Sequence, residues 1–195
     1  MRFETLAEFL PTLALAIALA ASAGLRAWLP LLLAGGMARL GVLDLGPSFQ
    51  FLASNKALLL FGLATVIEVV GDKFPAVDHA LDLIGTPLRP AVGALLAASV
   101  LGTVSDPLTA LVLGTAVGAP SALVPHAVKS AVRAASTTAT AGIANPLLSL
   151  LEDALAIVTF VAAVLVPALV IVALGLTLFL AARWLRRRRA AVPAA

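Results

Sequence analysis

Long apolar runs separated by polar connectors set the pattern of this chain. The first run extends from about Leu10 to Leu40. At about 1.5 Å per residue this is too long for one simple crossing of a bilayer, so a break is predicted near Gly24 or Pro30. A polar connector over 41–55 leads to an apolar helix over about 56–70, with Glu68 in its last turn. The most charged stretch, GDKFPAVDHALDLIGTPLRP at 71–90, has too few consecutive apolar residues to span. A further crossing is expected over about 90–104. Asp106 then stands where it caps a helix over 108–123. A polar stretch fills 125–142, and a last overlong run covers 146–182 with a kink expected at Pro167.

The runs are 15 or more residues long, not alternating strands of about ten, so the predicted fold is an all-α polytopic transmembrane bundle and not a β-barrel. Five to six membrane segments fit in one domain over 1–190, with 191–195 a short disordered tail. One phrase occurs twice: ASAGLRAWLPLLL at 21–33 and ATAGIANPLLSLL at 139–151. Each copy sets a hydroxyl residue and Ala-Gly before a proline within apolar surroundings, the pattern of a broken or re-entrant helix. Broken helices at corresponding places in two halves point to a transporter-like site. An inverted repeat with halves 10–104 and 106–182 is the matching expectation.

Composition agrees: 62% of residues are hydrophobic and 12% charged, against about 45–50% and 25% in soluble domains. The absence of cysteine excludes disulfides, thiol nucleophiles and Cys-ligated metals. The basic balance does not indicate nucleic acid, because Arg183 and Arg186 to Arg189 cluster directly after the last apolar run. That cluster predicts a cytoplasmic C-terminus, with Trp184 at the interface. Glu4 and Glu8 argue against a signal peptide, so the first run is expected to belong to the bundle.

Charge within apolar runs locates the candidate chemistry. Arg26 follows SAGL inside the first run, where a charge costs about 2.5–3.5 kcal/mol and faces the bundle interior. Glu68 ends an apolar helix, and Glu152 and Asp153 follow Pro146 by six and seven residues. With Asp72, these carboxylates are the coupling or ion candidates. Ser22, Gly24, Arg26, Thr140, Gly142 and Asn145 are the substrate-binding candidates, through backbone N–H groups at the two breaks. Asp78, Asp82, Arg89, Lys129 and Arg133 form a secondary set. The two histidines, His79 and His126, are read as structural, and no metal is assigned. Hydrolase elbows, HExxH and P-loops are absent, and the chain is expected not to be an enzyme and to need no cofactor.

The runs SAGLRA at 22–27, GDKFPAVDHALD at 71–82 with RP at 89–90, and TAGIANPLLSLLED at 140–153 resemble the bacterial membrane family DUF4126. The resemblance implies a small multi-pass inner-membrane protein and carries no activity. Ile143 stands where that family's pattern suggests a second glycine. The residues predict a small transporter or channel for an anionic solute with proton or cation coupling. The alternatives are a divalent-cation transporter using the carboxylates and a non-transport scaffold or lipid-handling protein. The expected partners are the bilayer, a small solute or ion and a second copy in a homodimer.

Overall fold

The apolar runs become helices in the computed structural model, which describes residues 3–190. The tail expectation for 191–195 and the side chains of Asp78, His79 and Asp82 lie outside the described residues. The helices are α1 (Phe3–Ala23), α2 (Trp28–Arg39), α3 (Asn55–Gly71), α4 (Pro75–Leu101), α5 (Pro107–Leu113), α6 (Ala119–Thr140), α7 (Asn145–Leu165) and α8 (Pro167–Ala190). A 3-10 turn, Pro47–Ala53, precedes α3, and a π turn, Gly114–Gly118, joins α5 to α6.

Both copies of the doubled phrase carry a helix break. The first lies between Ala23 and Trp28, with Pro30 in the first turn of α2, where the missing N–H forfeits no helical bond. The second lies between Thr140 and Asn145, where Ala141 at φ 51° and Gly142 at φ 83° turn the chain. Pro146 then occupies the first turn of α7. Asp106 caps α5, its Oδ1 accepting the N–H groups of Leu108 and Thr109 at 3.1 Å. Hydrogen bonds from the Thr109 side chain and backbone hold the Asp106 carboxyl below its ordinary range.

Three boundaries differ from the sequence reading. The charged stretch 71–90 is helical from Pro75 onward, and its apolar span is Leu83–Leu101 rather than 90–104. Residues 108–123 and most of 125–142 form one continuous helical run, Pro107–Thr140. Arg89 on α4 and Lys129 and Arg133 on α6, which read as loop charge, are buried on inward helix faces. The kink at Pro167 is a full break at Val166, which separates α7 from α8. Among the described residues, three helices are long and apolar enough to cross a membrane, Leu83–Leu101, Pro107–Thr140 and Asn145–Leu165. A fourth is gained if Pro47–Ala53 and Asn55–Gly71, bent by 57°, act as one span. The count falls short of five to six because the apolar parts of α1 and α8, Glu8–Ala23 and Val172–Trp184, are shorter.

Small residues bring the backbones together, as membrane helices require. A Cβ on Gly93 would lie 2.7 Å from the Gly118 carbonyl oxygen, and one on Gly114 2.6 Å from the Ala98 nitrogen. Ala16, Ala20, Leu96, Ala97 and Leu101 are buried where α1 and α4 pack. Large apolar side chains such as Leu59, Leu63, Val158 and Phe179 are exposed on the outside, the reverse of a water-soluble surface.

A Cβ at Gly24 would collide with the backbone carbonyl of Ala122, whereas one at Gly36 meets nothing within 4 Å. Gly24→Ala is therefore expected to lower stability by about 1–3 kcal/mol. Gly36→Ala, inside α2, is expected to raise it by up to about 1 kcal/mol. Unfolding of the detergent-solubilised variants measures both.

Candidate functional site

The α1–α2 break delivers Arg26 into the centre of the bundle. The N–H groups of Leu25 and Arg26 donate back to the Ser22 carbonyl, and that of Gly24 to Ala21. This tight turn leaves the Arg26 side chain fully buried. The Ser22 hydroxyl donates to the Leu19 carbonyl at 2.6 Å, so it serves its own helix. The N–H groups at 24–26 are thus consumed within the turn and are not open to a solute. The next two, of Ala27 and Trp28, donate to Glu68 Oε1 and Oε2 at 3.1 and 3.2 Å. The anion at this helix start is the protein's own carboxylate, brought by α3, where the α2 dipole favours it.

Beside this cap lies a buried ion-pair network. Arg26 Nη1 pairs with Asp72 Oδ2 at the end of α3. Its Nη2 approaches Asp153 Oδ1 at 2.7 Å and donates to the Ser149 carbonyl and hydroxyl at 3.2 and 3.1 Å. Arg133 grips Glu152 with two bonds, Nε to Oε1 at 2.8 Å and Nη2 to Oε2 at 2.6 Å, and reaches Asp72 Oδ2 at 3.2 Å. Lys129 Nζ lies 3.1 Å from Glu152, 3.7 Å from Asp72 and 3.4 Å from the Leu25 carbonyl. Lys73, more exposed, sits 3.8 Å from Asp153 and donates to the Ser149 hydroxyl at 3.4 Å. Arg89, midway along α4, stands 3.8 Å from Glu68 and 2.9 Å from His126 Nδ1.

Helical periodicity explains the convergence. The buried positions of α6 are Ala122, His126, Lys129 and Arg133, and those of α7 are Ser149, Glu152, Ala156, Phe160 and Ala163. Each set is one stripe at three- and four-residue spacing, with charge at one level and apolar side chains at the other on α7. The structure brings together Arg26, Glu68, Asp72, Glu152, Asp153, Arg89, Lys129 and Arg133. The hydrogen bonds described for Thr140 and Asn145 go elsewhere. At the α6–α7 corner, Asn145 donates to Thr137 at 3.0 Å, and Thr140 accepts from the Ala144 N–H at 3.3 Å. The N–H groups of Ile143 and Asn145 are also used within the corner. Asp78 and Asp82 fall outside the described side chains.

Sequence reasoning missed Ser149, Lys73 and His126. Ser149 precedes Glu152 and Asp153 by three and four residues, and His126 precedes Lys129 and Arg133 by three and seven, so helical spacing alone selects both. Among the described residues no cluster of three or more His, Asp or Glu side chains is arranged to hold a metal. In this network the chain's own acids occupy the cationic groups.

A cleft of about 300 Å³ reaches the network from one side, between α1, α6, α7 and α8, with Lys129 and Glu152 among its lining. A second pocket of about 200 Å³, between α2, α3 and α4, ends at Glu68.

The model of a domain of unknown function, DUF4126, matches residues 13–187, and the chain belongs to that family. No curated protein and no solved structure matches it.

Removing one partner from a buried charge network leaves the others uncompensated. Asp72→Asn is expected to destabilise the purified protein by about 3–5 kcal/mol. Glu68→Gln keeps an acceptor oxygen for the α2 N–H groups and is expected to lose only about 1–3 kcal/mol. Denaturant unfolding in detergent compares the two.

Proposed function

We propose that this protein, whose family membership assigns no activity, is a small membrane transporter in which the buried ion-pair network is the substrate and coupling site. The observation that carries the reading is Asp72 Oδ2, approached by Arg26, Lys129 and Arg133 inside a bundle with an apolar exterior. Charge buried so deeply in a membrane protein marks a pathway for ions, protons or substrate. Arg26, Lys129 and Arg133 receive an anionic solute, and Asp72, Glu152 and Asp153 exchange the coupling proton or cation. Glu68 is assigned to holding α2 and Arg89 in place.

The two broken helices are counterparts of an inverted repeat in this reading, and Arg26 of the first phrase touches Ser149 of the second. The shorter apolar helices α1 and α8 complete five to six membrane segments. The protein resides in the bacterial inner membrane, as a homodimer without enzymatic activity, with the arginines at the end of α8 on the cytoplasmic side. A divalent-cation reading has less support, since Asp72, Glu152 and Asp153 each face Arg or Lys. The second reading, lipid handling, is favoured by the cleft that reaches Lys129 and Glu152.

Proteoliposomes loaded with a pH-sensitive dye test the proposal against a panel of small organic and inorganic anions. Arg26→Lys retains charge but loses the planar fork. It is expected to insert normally and to lose about tenfold or more in flux, the equivalent of one charge-assisted hydrogen bond. Glu152→Gln is expected to abolish the accompanying proton movement. Wild-type behaviour of both variants across the panel overturns the transport reading.

A further inference from the structure

We infer that the cleft between α1, α6, α7 and α8 admits a single-chain anionic amphiphile of the fatty-acid type, whose carboxylate replaces Glu152 on Arg133 and Lys129. This rests on the transport reading above and names its substrate class. The cleft walls include Val128, Val132, Leu148, Leu151, Leu155 and Leu174, and the charged side chains lining it are Lys129 and Glu152. Apolar walls beside one ionic group match a molecule with a tail and a head. About 300 Å³ lies at the small end of ligand-site volumes, which suits one chain rather than two. Val128, Leu151 and Leu155 are also exposed on the outside of the bundle, so the cleft opens toward the bilayer side.

The sign of the head group follows from Glu152. Both of its oxygens are held by Arg133, at 2.8 and 2.6 Å, and Lys129 adds a contact at 3.1 Å. A two-pronged guanidinium grip with an added ammonium is how proteins bind a carboxylate. A cationic head group would have to strip Glu152 from Arg133 and then sit beside three cations. A carboxylic acid needs only an exchange. Its O–H bond breaks, its proton forms an O–H bond on Glu152, and the resulting substrate carboxylate takes the grip of Arg133 and Lys129. The net charge of the bundle is unchanged.

The groups facing Glu152 accommodate this exchange. Arg133 and Lys129 come from α6, and Arg26 Nη2 stands 4.0 Å away at the α1–α2 break. Asp72, at the end of α3, shares Arg133 and Lys129 with it. Asp153, its neighbour on α7, is occupied by Arg26 and Lys73.

Binding of radiolabelled dodecanoate to the purified full chain in phosphatidylcholine nanodiscs, corrected with empty discs, tests the inference. The expected result is saturable binding displaced by unlabelled dodecanoate but not by dodecyltrimethylammonium or acetate. The complex holds one proton more than the free protein and the free anion. Binding should therefore strengthen about tenfold per pH unit as pH falls, wherever both free carboxylates are ionised. Glu152→Gln, fixed in the neutral form, should bind without that slope, and Glu152→Asp should restore it. Val128→Trp and Thr159→Trp fill the cleft and should each abolish binding in monodisperse protein.

Absence of saturable binding, equal displacement by dodecyltrimethylammonium, a pH slope retained in Glu152→Gln, or full binding in both Trp variants overturns the inference. Small-anion flux without dodecanoate binding overturns it while leaving the transport reading intact. Dodecanoate binding with no flux of any anion overturns the transport reading and leaves a lipid-side binding site.

Discussion

The convergence of Arg26, Lys129 and Arg133 on one carboxylate oxygen of Asp72 is the constraint on which the rest of the structure depends. All four are buried within the bundle, away from water, and each is tolerable only because the others are in place. The arrangement fixes four elements at one level: the α1–α2 break, the end of α3, the middle of α6 and the second turn of α7. Glu68 ties in the start of α2, and through Arg89 the middle of α4. An apolar bundle without this centre would have little to set helix register, since lipid tails compete equally for its leucines.

Such a centre does not have to add stability. Burying ion pairs carries a desolvation cost that their attraction repays only when geometry and secondary hydrogen bonds are good. Here the closest pairs, such as Arg133–Glu152 and Arg26–Asp153, are supplemented by Ser149, the Leu25 carbonyl and the α2 N–H groups. What the network supplies is a polar interior in which several cations share each carboxylate. Close glycine contacts bring α4 and the π turn together.

Much of this was legible in the chain. Arg26 stood out because a charge interrupts an apolar run, and the two helix breaks because small residues and proline recur in matching order. The helical character of 71–90 and 125–142 was not legible. Hydropathy counts consecutive residues, whereas α6 carries His126, Lys129 and Arg133 on one inward stripe and α4 buries Arg89, a pattern that resembles a loop when read linearly. The fate of the backbone N–H groups at the first break was hidden for a different reason. Glu68 lies some forty residues from the groups it caps, a relation no local pattern expresses. Ser149 and His126 were within reach, since each shares a helical stripe with residues already selected.

The position of Glu152 along α7 has a further consequence. It lies seven residues from the start of a 21-residue helix, about 10 Å from one end and about 20 Å from the other. If α7 marks the thickness of the hydrocarbon layer, the polar centre is off-centre, and the dielectric barriers on its two sides are unequal. Charge leaving toward the α6–α7 corner crosses roughly half the low-dielectric distance that it faces in the opposite direction. In such a layer the electrostatic barrier to a charge at this level is lower toward the corner than away from it.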